Sequence, residues 1–174
     1  GSVTALIGPN GAGKTTVIDA ITGFARSTGT VTVAGRDLRG LAPHNRVRRG
    51  LGGTFQSIEL YDDLGVEENV SVAAFAGGHD DRDVGVAQAL ALLGIDDLRE
   101  RPAGELSQGQ RQLVSMARAC AAEPQVLLLD EPAAGLDSPE SQWLGARLRA
   151  IADTGTGVLL VDHARDEPAL LHGV

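Results

Sequence analysis

The sequence predicts a single α/β domain in which helices cover a mostly parallel β-sheet. The 174-residue chain is 43% hydrophobic but only 3% aromatic, so its core is built from aliphatic side chains. Residues 126–129 and 158–161 are continuous apolar runs, which are typical of strands buried on both faces of a parallel sheet. A glycine-rich loop at residues 8–15 joins an apolar strand to a helical pattern. A chain of this length can bury the core of one such domain but not of two.

The first elements surround the glycine-rich loop. Residues 3–7 predict the strand that precedes it, and residues 15–22 predict the helix that follows it. Residues 30–34 alternate in polarity like a short strand and end at a Gly-Arg-Asp turn. Residues 43–49 predict a short helix, and residues 50–55 predict a strand or extended segment. The arginines of the short helix are expected on a solvated face.

The second half of the chain predicts a helical insertion followed by a return to the sheet. Residues 66–106 are rich in helical patterns and predict a helical subdomain, so the core is expected to combine residues 1–65 with residues 107–174. A long helix is predicted from residue 107 to 122, and its Cys120 is expected to be a small buried side chain. Another helix is predicted at residues 143–151, between the two apolar runs.

The glycine-rich loop fits the phosphate-binding pattern G-x-x-x-x-G-K-[ST]. Its glycines let consecutive backbone N–H groups turn toward a polyphosphate, and the following helix adds partial positive charge from its N-terminus. Lys14 is the single lysine of the chain and adds a full charge, while the Thr15 hydroxyl is suited to Mg²⁺. The predicted nucleotide-binding residues are Gly8, Pro9, Asn10, Gly11, Ala12, Gly13, Lys14, Thr15 and Thr16.

Two acidic residues follow the apolar run at 126–129. Ligands bind at the carboxyl ends of strands in open parallel sheets, which is where Asp130 and Glu131 are predicted to lie. Two adjacent acids alone indicate no particular function. Together with a phosphate-binding loop they predict that Asp130 is a magnesium ligand and that Glu131 orients or deprotonates the attacking water.

The long helix opens with the sequence Leu-Ser-Gln-Gly-Gln at residues 106–110. Ser107 is a good N-cap, and a serine hydroxyl beside free helix N–H groups can bind an anion. The sequence therefore predicts two helix N-termini that can bind phosphate.

With this segment the chain resembles the ATP-binding-cassette (ABC) ATPases, a branch of the P-loop NTPases. Four of five residues match the family signature LSGGQ, with Gln108 in place of the middle glycine. The resemblance implies a P-loop NTPase core with a helical subdomain and an antiparallel β subdomain. It also implies a head-to-tail dimer with a second ATPase subunit, in which Ser107, Gly109 and Gln110 of one subunit cover the ATP held by the loop of the other.

Three further segments resemble family motifs in the family's order. Gln56 resembles the Q-loop glutamine, which reaches the magnesium and the water and lies at the contact with the transport domains. Residues 134–137 resemble the D-loop, with Asp137 expected at the dimer interface. His163 resembles the switch histidine that contacts the γ-phosphate. The implied cofactors are ATP and Mg²⁺, with Thr15, Gln56 and Asp130 around the metal and Lys14, Glu131, Gln56 and His163 in catalysis.

Residues 21–24, 53–56 and 131–136 are most similar to ATPase subunits of branched-chain amino-acid importers. This similarity implies ATP hydrolysis that drives uptake of such amino acids or similar small polar solutes. It also implies transmembrane permease subunits as partners and a peripheral place on the cytoplasmic face of the cell membrane. The formal net charge of −8 disfavours nucleic acid as a partner, and no apolar run approaches the length of a membrane span.

The family's strand pair and adenine-stacking aromatic residue lie upstream of the phosphate loop, whereas this sequence begins at the strand of that loop. The antiparallel subdomain is therefore expected to be truncated, and ATP binding is expected to be weak and poorly selective over GTP. Two alternatives stay open at this point. One is an ABC ATPase of DNA repair or translation, which DNA or ribosomes would stimulate, and the other is a regulatory module that binds ATP without turnover.

Overall fold

The computed structural model describes residues 1–54, 59–77, 82–134 and 136–163. The elements in chain order are β1 (Val3–Gly8), α1 (Lys14–Thr22), β2 (Thr32–Val33), β3 (Arg36–Asp37), α2 (Pro43–Val47), β4 (Leu51–Gly53), α3 (Val66–Gly77), α4 (Arg82–Leu93), α5 (Gln108–Cys120), β5 (Val126–Asp130), α6 (Ser138–Asp153) and β6 (Gly157–His163). Short 3₁₀ turns lie at Asp96–Leu98 and Ala103–Glu105.

The main sheet is parallel, as predicted, with the strand order β1-β6-β5-β4. The backbone of Gly8 at the end of β1 lies opposite His163 at the end of β6. Asp130 at the end of β5 lies opposite Val161 of β6. Because parallel strands end at a common edge, the start of the phosphate loop, Asp130 and His163 all reach the same side of the sheet.

The second sheet is a two-stranded antiparallel hairpin of β2 and β3, which pairs Val33 with Arg36. The sequence predicted a strand running to residue 34 and then a turn, while the structure places the turn at Ala34 and Gly35. Both turn residues have positive φ, at 47° and 75°. Such a two-residue turn matches the twist of the flanking strands, so residues 36 and 37 pair back as a strand.

The aliphatic core covers both faces of the main sheet. Leu127 and Leu129 of β5 belong to a large cluster with residues of α3, α4, α5 and α6, among them Leu90, Met116 and Leu148. Leu128, on the opposite face, packs with Ile18 of α1, Leu38 and Val161. Successive side chains of a strand point to opposite faces, which is why a run of consecutive leucines serves both clusters.

Helix α6 begins five residues before the predicted boundary at residue 143 because its start is set by a capping box. Asp137 accepts a hydrogen bond from the backbone N–H of Glu140 at 2.8 Å, and the Glu140 carboxylate accepts one from the Asp137 N–H at 3.1 Å. Such reciprocal bonds satisfy the first free N–H groups of a helix.

The arginines in and just after α2 do not share one solvated face, so that expectation is wrong for Arg46. Its side chain is 8% exposed, whereas Arg48 and Arg49 are exposed. The Arg46 guanidinium donates to the carbonyls of Ala20 at 3.1 Å and Ile21 at 2.5 Å, in the last turns of α1. Helix C-termini carry free carbonyls and partial negative charge, so a buried cation is stabilised there.

Within these described ranges, no helix combines the length and the apolar character that crossing a bilayer requires.

Candidate functional site

The phosphate-binding loop owes its shape to glycine. Gly11 and Gly13 have φ of 80° and 88°, in the left-handed region that other residues avoid. A turn inside the loop is closed by the Ala12 N–H, which donates to the Pro9 carbonyl at 3.3 Å. Gly13 is the N-cap of α1 and offers no side-chain cap. Among the described residues no side chain caps the first turn of α1, so its N–H groups are oriented to bind an anion.

Lys14 begins α1 and turns back over the loop. Its side chain is 7% exposed, and its Nζ donates to the carbonyls of Gly8 at 2.8 Å and Pro9 at 3.0 Å. The ammonium group is thus held above the loop. A phosphate beside it would gain charge-assisted hydrogen bonds from the same group.

A cavity of about 360 Å³ opens over the loop. It is lined by Asn10, Gly11, Gly13, Lys14, Thr15, Thr16 and Glu131. The structure therefore brings most of the predicted phosphate-binding residues into one cavity and adds Glu131 from the end of β5.

Asp130 precedes Glu131 at the end of β5 and is 4% exposed. Its Oδ1 is buried and has no hydrogen-bond partner among the described residues. Burial raises the pKa of Asp130, the hydrogen bond from the Thr15 side chain and the charge of Lys14 lower it, and the carboxylates of Glu131 and Asp19 raise it again. The charge of Lys14 is the smallest of these effects, so the buried carboxylate, with one oxygen unbonded beside a threonine hydroxyl, is only partly neutralised. This donor set fits a hard divalent cation such as Mg²⁺.

Glu131 has an unusual backbone. Its φ of 49° lies in the left-handed region, which costs a residue other than glycine about 1 kcal/mol or more. Two hydrogen bonds hold it there: its N–H donates to the Val161 carbonyl at 2.9 Å, and its carbonyl accepts from the Ala134 N–H at 3.0 Å. The strand therefore ends abruptly at Glu131, and its side chain lines the cavity instead of continuing the sheet.

Two of the predicted site residues are described only in part or not at all. The backbone of His163 ends β6 opposite Gly8, the first residue of the loop, and its side chain lies outside the description. Gln56 also lies outside the described residues. Thr54, two residues earlier, donates its N–H to the Leu128 carbonyl at 2.9 Å and is thereby attached to β5.

Ser107, Gly109, Gln110 and Asp137 form a second cluster. Ser107 caps α5 by accepting from the Gln110 N–H at 3.3 Å, and the Gln110 side chain accepts from the Ser107 N–H at 3.0 Å. Asp137 caps α6 in the same manner. The two helix starts touch at Gly109, where a Cβ atom would lie 3.2 Å from Glu140 Oε1. In contrast to α1, both helices cap themselves with their own side chains.

The two clusters are separate within one chain. A groove of about 420 Å³ lies beside the second cluster, and it shares no lining residue with the cavity over the phosphate loop. Sequence reasoning missed Asp19, which lies four residues after Thr15 and so on the same side of α1. It also missed Gln112 and Trp143 of the groove, for which the single tryptophan of the chain was an available signal.

Comparison with known proteins identifies ATP-binding proteins of transporters among the relatives of this chain. The profile of the ABC transporter family matches residues 1–134. The sulfate/thiosulfate import ATP-binding protein CysA of Mycobacterium tuberculosis is 37% identical over 171 residues, which are 96% of this chain and 48% of CysA. The high-affinity branched-chain amino acid transport ATP-binding protein BraF of Pseudomonas aeruginosa is 33% identical, over 92% of this chain and 71% of BraF. The chain thus spans about half the length of the sulfate relatives.

Solved structures of the same kind superpose on almost the entire chain. The ADP conformation of MJ1267, an ATP-binding cassette of an ABC transporter, has a TM-score of 0.88 and 28% identity and covers 99% of this chain and 73% of MJ1267. CbiO1 from Clostridium perfringens, part of the ABC transporter complex CbiONQ, has a TM-score of 0.81 and 30% identity, with 92% of this chain and 66% of CbiO1 covered.

Proposed function

This chain belongs to the ABC transporter family of ATP-binding domains, and on that premise we propose that it binds Mg-ATP and hydrolyses it to drive an importer. One structural observation supports the proposal most strongly. The uncapped start of α1 and Lys14 lie next to a buried Asp130 oxygen that has no partner among the described residues. Such a site offers donors to a polyphosphate and, a few atoms away, a ligand to its metal ion.

The proposed reaction is in-line attack of water on the γ-phosphate. The loop N–H groups and Lys14 bind the phosphates and neutralise their charge, which is most of what catalysis of phosphoryl transfer requires. Thr15 and Asp130 are the residues that would hold Mg²⁺, and the ion supplies further charge neutralisation between phosphates when it is bound. Glu131, turned into the cavity by its left-handed backbone, orients the water and accepts its proton.

We assign Gln56 and His163 to the γ-phosphate and the water. Support for His163 comes from its backbone position at the end of β6, in register with the first residue of the loop. Gln56 follows Thr54, whose backbone is attached to β5 two residues before Asp130.

The active unit is proposed to be a head-to-tail dimer. The groove beside the cluster at Ser107 and Asp137 and the cavity at Lys14 have no lining residue in common, so the described part of one chain does not join them into one site. Two chains in opposite orientation bring the Ser107 cluster of each over the loop of the other. Ser107 keeps its hydroxyl proton available for a phosphate oxygen while its oxygen caps α5.

The test of hydrolysis is Glu131→Gln, with Glu105→Gln as a matched control because Glu105 is exposed and lies away from the cavity. Turnover of Glu131→Gln is expected to fall by about 10²-fold or more, because an amide cannot accept the proton of the water. Calorimetric affinity for Mg-ATP should stay within a few-fold of the parent chain, and the variant should elute as a dimer with ATP. Equal turnover in both variants would contradict the role of Glu131.

For the transported solute we propose branched-chain amino acids or similar small polar solutes, with permease subunits as partners at the cytoplasmic face of the membrane. Residues 21–24, 53–56 and 131–136, which resemble that class, and the match to BraF support this choice over sulfate. Uptake of radiolabelled leucine and sulfate by source cells that carry Lys14→Ala tests it. Loss of leucine uptake alone agrees with the proposal, and loss of sulfate uptake alone contradicts it.

A further inference from the structure

Asp19 of α1 brings a third carboxylate near Asp130 and Glu131. It lies four residues after Thr15, so the two side chains are neighbours on the same side of the helix. Side chains of a helix lean toward its N-terminus, and the Asp19 carboxylate therefore extends toward the turn that contains Thr15. Because the Thr15 side chain hydrogen-bonds Asp130, this side of α1 faces the end of β5.

The electrostatics of Asp130 agree with this placement. Burial is the largest effect that raises the pKa of Asp130, and the charges of Glu131 and then Asp19 raise it further. The charge of Lys14 lowers this pKa and is the smallest of the effects. Its ammonium group also donates to the carbonyls of Gly8 and Pro9, at 2.8 and 3.0 Å. Three carboxylates therefore share the surroundings of one ammonium group, and negative charge is in excess.

The chemistry of α1 itself does not account for an acidic residue at this position. Asp19 lies in the last turn of the helix, where free carbonyls carry partial negative charge and a carboxylate is destabilising. Aspartate also has a low propensity for helix interiors. The half-buried Asp19 carboxylate thus weakens its own helix, and the partner that would stabilise its charge lies outside α1.

The Asp130 side chain independently indicates a cation. It is 4% exposed, and its buried Oδ1 has no hydrogen-bond partner among the described residues. In the same part of the chain, no three acidic, histidine or cysteine side chains are grouped closely enough to hold one ion together. Asp19 is therefore not a direct ligand beside Asp130 and Glu131. Mg²⁺ keeps several water molecules in proteins, and a carboxylate beyond the ligands can accept hydrogen bonds from them.

We propose that Asp19 enables this site to bind a divalent cation before the nucleotide arrives, by adding negative charge beside Asp130 and accepting hydrogen bonds from the water molecules of the ion. Protein sites for Mg²⁺ usually provide one or two carboxylates and take further ligands from the phosphates of the substrate. A third carboxylate attracts the ion without a phosphate. The inference rests on the proposed function in one respect, because it takes the cavity over the loop as the site of Mg-ATP.

Electron paramagnetic resonance of Mn²⁺ tests the proposal on the nucleotide-free chain, because the sharp signal of the free ion is lost when the ion binds. Mn²⁺ at about 0.1–1 mM, the range in which weak carboxylate sites bind divalent cations, is expected to bind the parent chain and to be displaced by Mg²⁺. Asp130→Asn should abolish this binding. Asp19→Asn should weaken it by about tenfold, as is usual when a group that supports the ligands of a metal is removed.

Two further variants are controls. Asp153→Asn removes an exposed carboxylate from the last turn of another helix, α6, and should leave Mn²⁺ binding unchanged. Asp19→Glu keeps the charge and should bind Mn²⁺ within a few-fold of the parent chain. Circular dichroism of each variant should match that of the parent.

Each result either supports or overturns the proposal. Equal Mn²⁺ binding in Asp19→Asn and the parent chain overturns the role of Asp19, and so does an equal loss in Asp19→Asn and Asp19→Glu. Binding that persists in Asp130→Asn places the ion elsewhere and overturns the site. If the parent chain binds no Mn²⁺ while calorimetry records binding of Mg-ATP, the inference is overturned and the proposed function stays intact. Absence of Mg-ATP binding in calorimetry instead overturns the proposed function.

Discussion

Asn69 is expected to be among the most stability-sensitive polar residues of the described chain. It lies on α3 with an exposed fraction of 0%, and its side chain attaches the segment at residues 61–65 to that helix. The side-chain oxygen accepts from the Tyr61 N–H at 2.8 Å. The side-chain nitrogen is 3.1 Å from the Tyr61 carbonyl, 3.2 Å from that of Leu64 and 3.0 Å from that of Gly65.

The cost of Asn69→Ala follows from these contacts. An amide nitrogen has two hydrogens, so its three short contacts count as two full hydrogen bonds, and the oxygen adds a third. With about 1 kcal/mol for each lost bond whose partners stay partly buried, the expected destabilisation is about 3 kcal/mol. With a urea slope of about 2 kcal/mol/M, the unfolding midpoint should fall by about 1.5 M at constant slope.

Two further variants sharpen this test, which is read by circular dichroism in urea. Asn45→Ala is the control, because Asn45 also lies on a helix and none of its side-chain atoms makes a hydrogen bond to a described residue. It should stay within about 0.5 kcal/mol of the parent chain. Asn69→Asp keeps the acceptor but loses both donors and buries a charge, so it should be no more stable than Asn69→Ala. A change of less than about 0.5 kcal/mol in Asn69→Ala would refute the reasoning.

Three more predictions concern single side chains. Burial raises the pKa of Asp130, so the folded chain holds this proton to a higher pH than the unfolded chain does. The protonated carboxyl stabilises the folded chain in acid, and this stabilisation is lost as the pH rises past the ordinary carboxyl range. Asp130→Asn should therefore be more stable than the parent chain at pH 7 in EDTA. The difference between their urea midpoints should shrink toward pH 4, and a difference that stays constant with pH would contradict the effect of ionisation. Arg46→Met should cost about 2–4 kcal/mol because it removes the bonds to the end of α1, whereas the exposed Arg48→Met should cost less than about 0.5 kcal/mol; similar thermal midpoints would contradict the burial argument. Burial raises the pKa of the Cys120 thiol to about 12, although the residue as a whole is only half-buried. Alkylation by iodoacetamide at pH 8 should therefore be roughly a hundredfold or more slower in the folded chain than in 8 M urea, and equal rates would contradict the raised pKa.

Local patterns predicted the elements that the sheet requires. The apolar runs at residues 126–129 and 158–161 became β5 and β6, and the glycine-rich loop lies between β1 and α1 as expected. Boundaries failed where a turn or a cap decided them. The hairpin at Ala34 and Gly35 and the capping box of Asp137 depend on backbone angles and reciprocal hydrogen bonds, which the periodicity of hydrophobic residues does not record.

The sequence by itself determined the phosphate-binding loop, the acidic pair after β5 and the serine cap of α5. Each of these depends on neighbours within a few positions, because glycines, helix starts and strand ends act on their own backbone. The tertiary structure alone decided that the Thr15 side chain hydrogen-bonds Asp130 and that Arg46 is buried against α1. It also decided that Gln112 and Trp143 line the same groove. These residues are distant in the chain or lie on different elements. Periodicity assigns a residue to a face of its own helix or strand, but the face that it meets depends on how several elements pack at once.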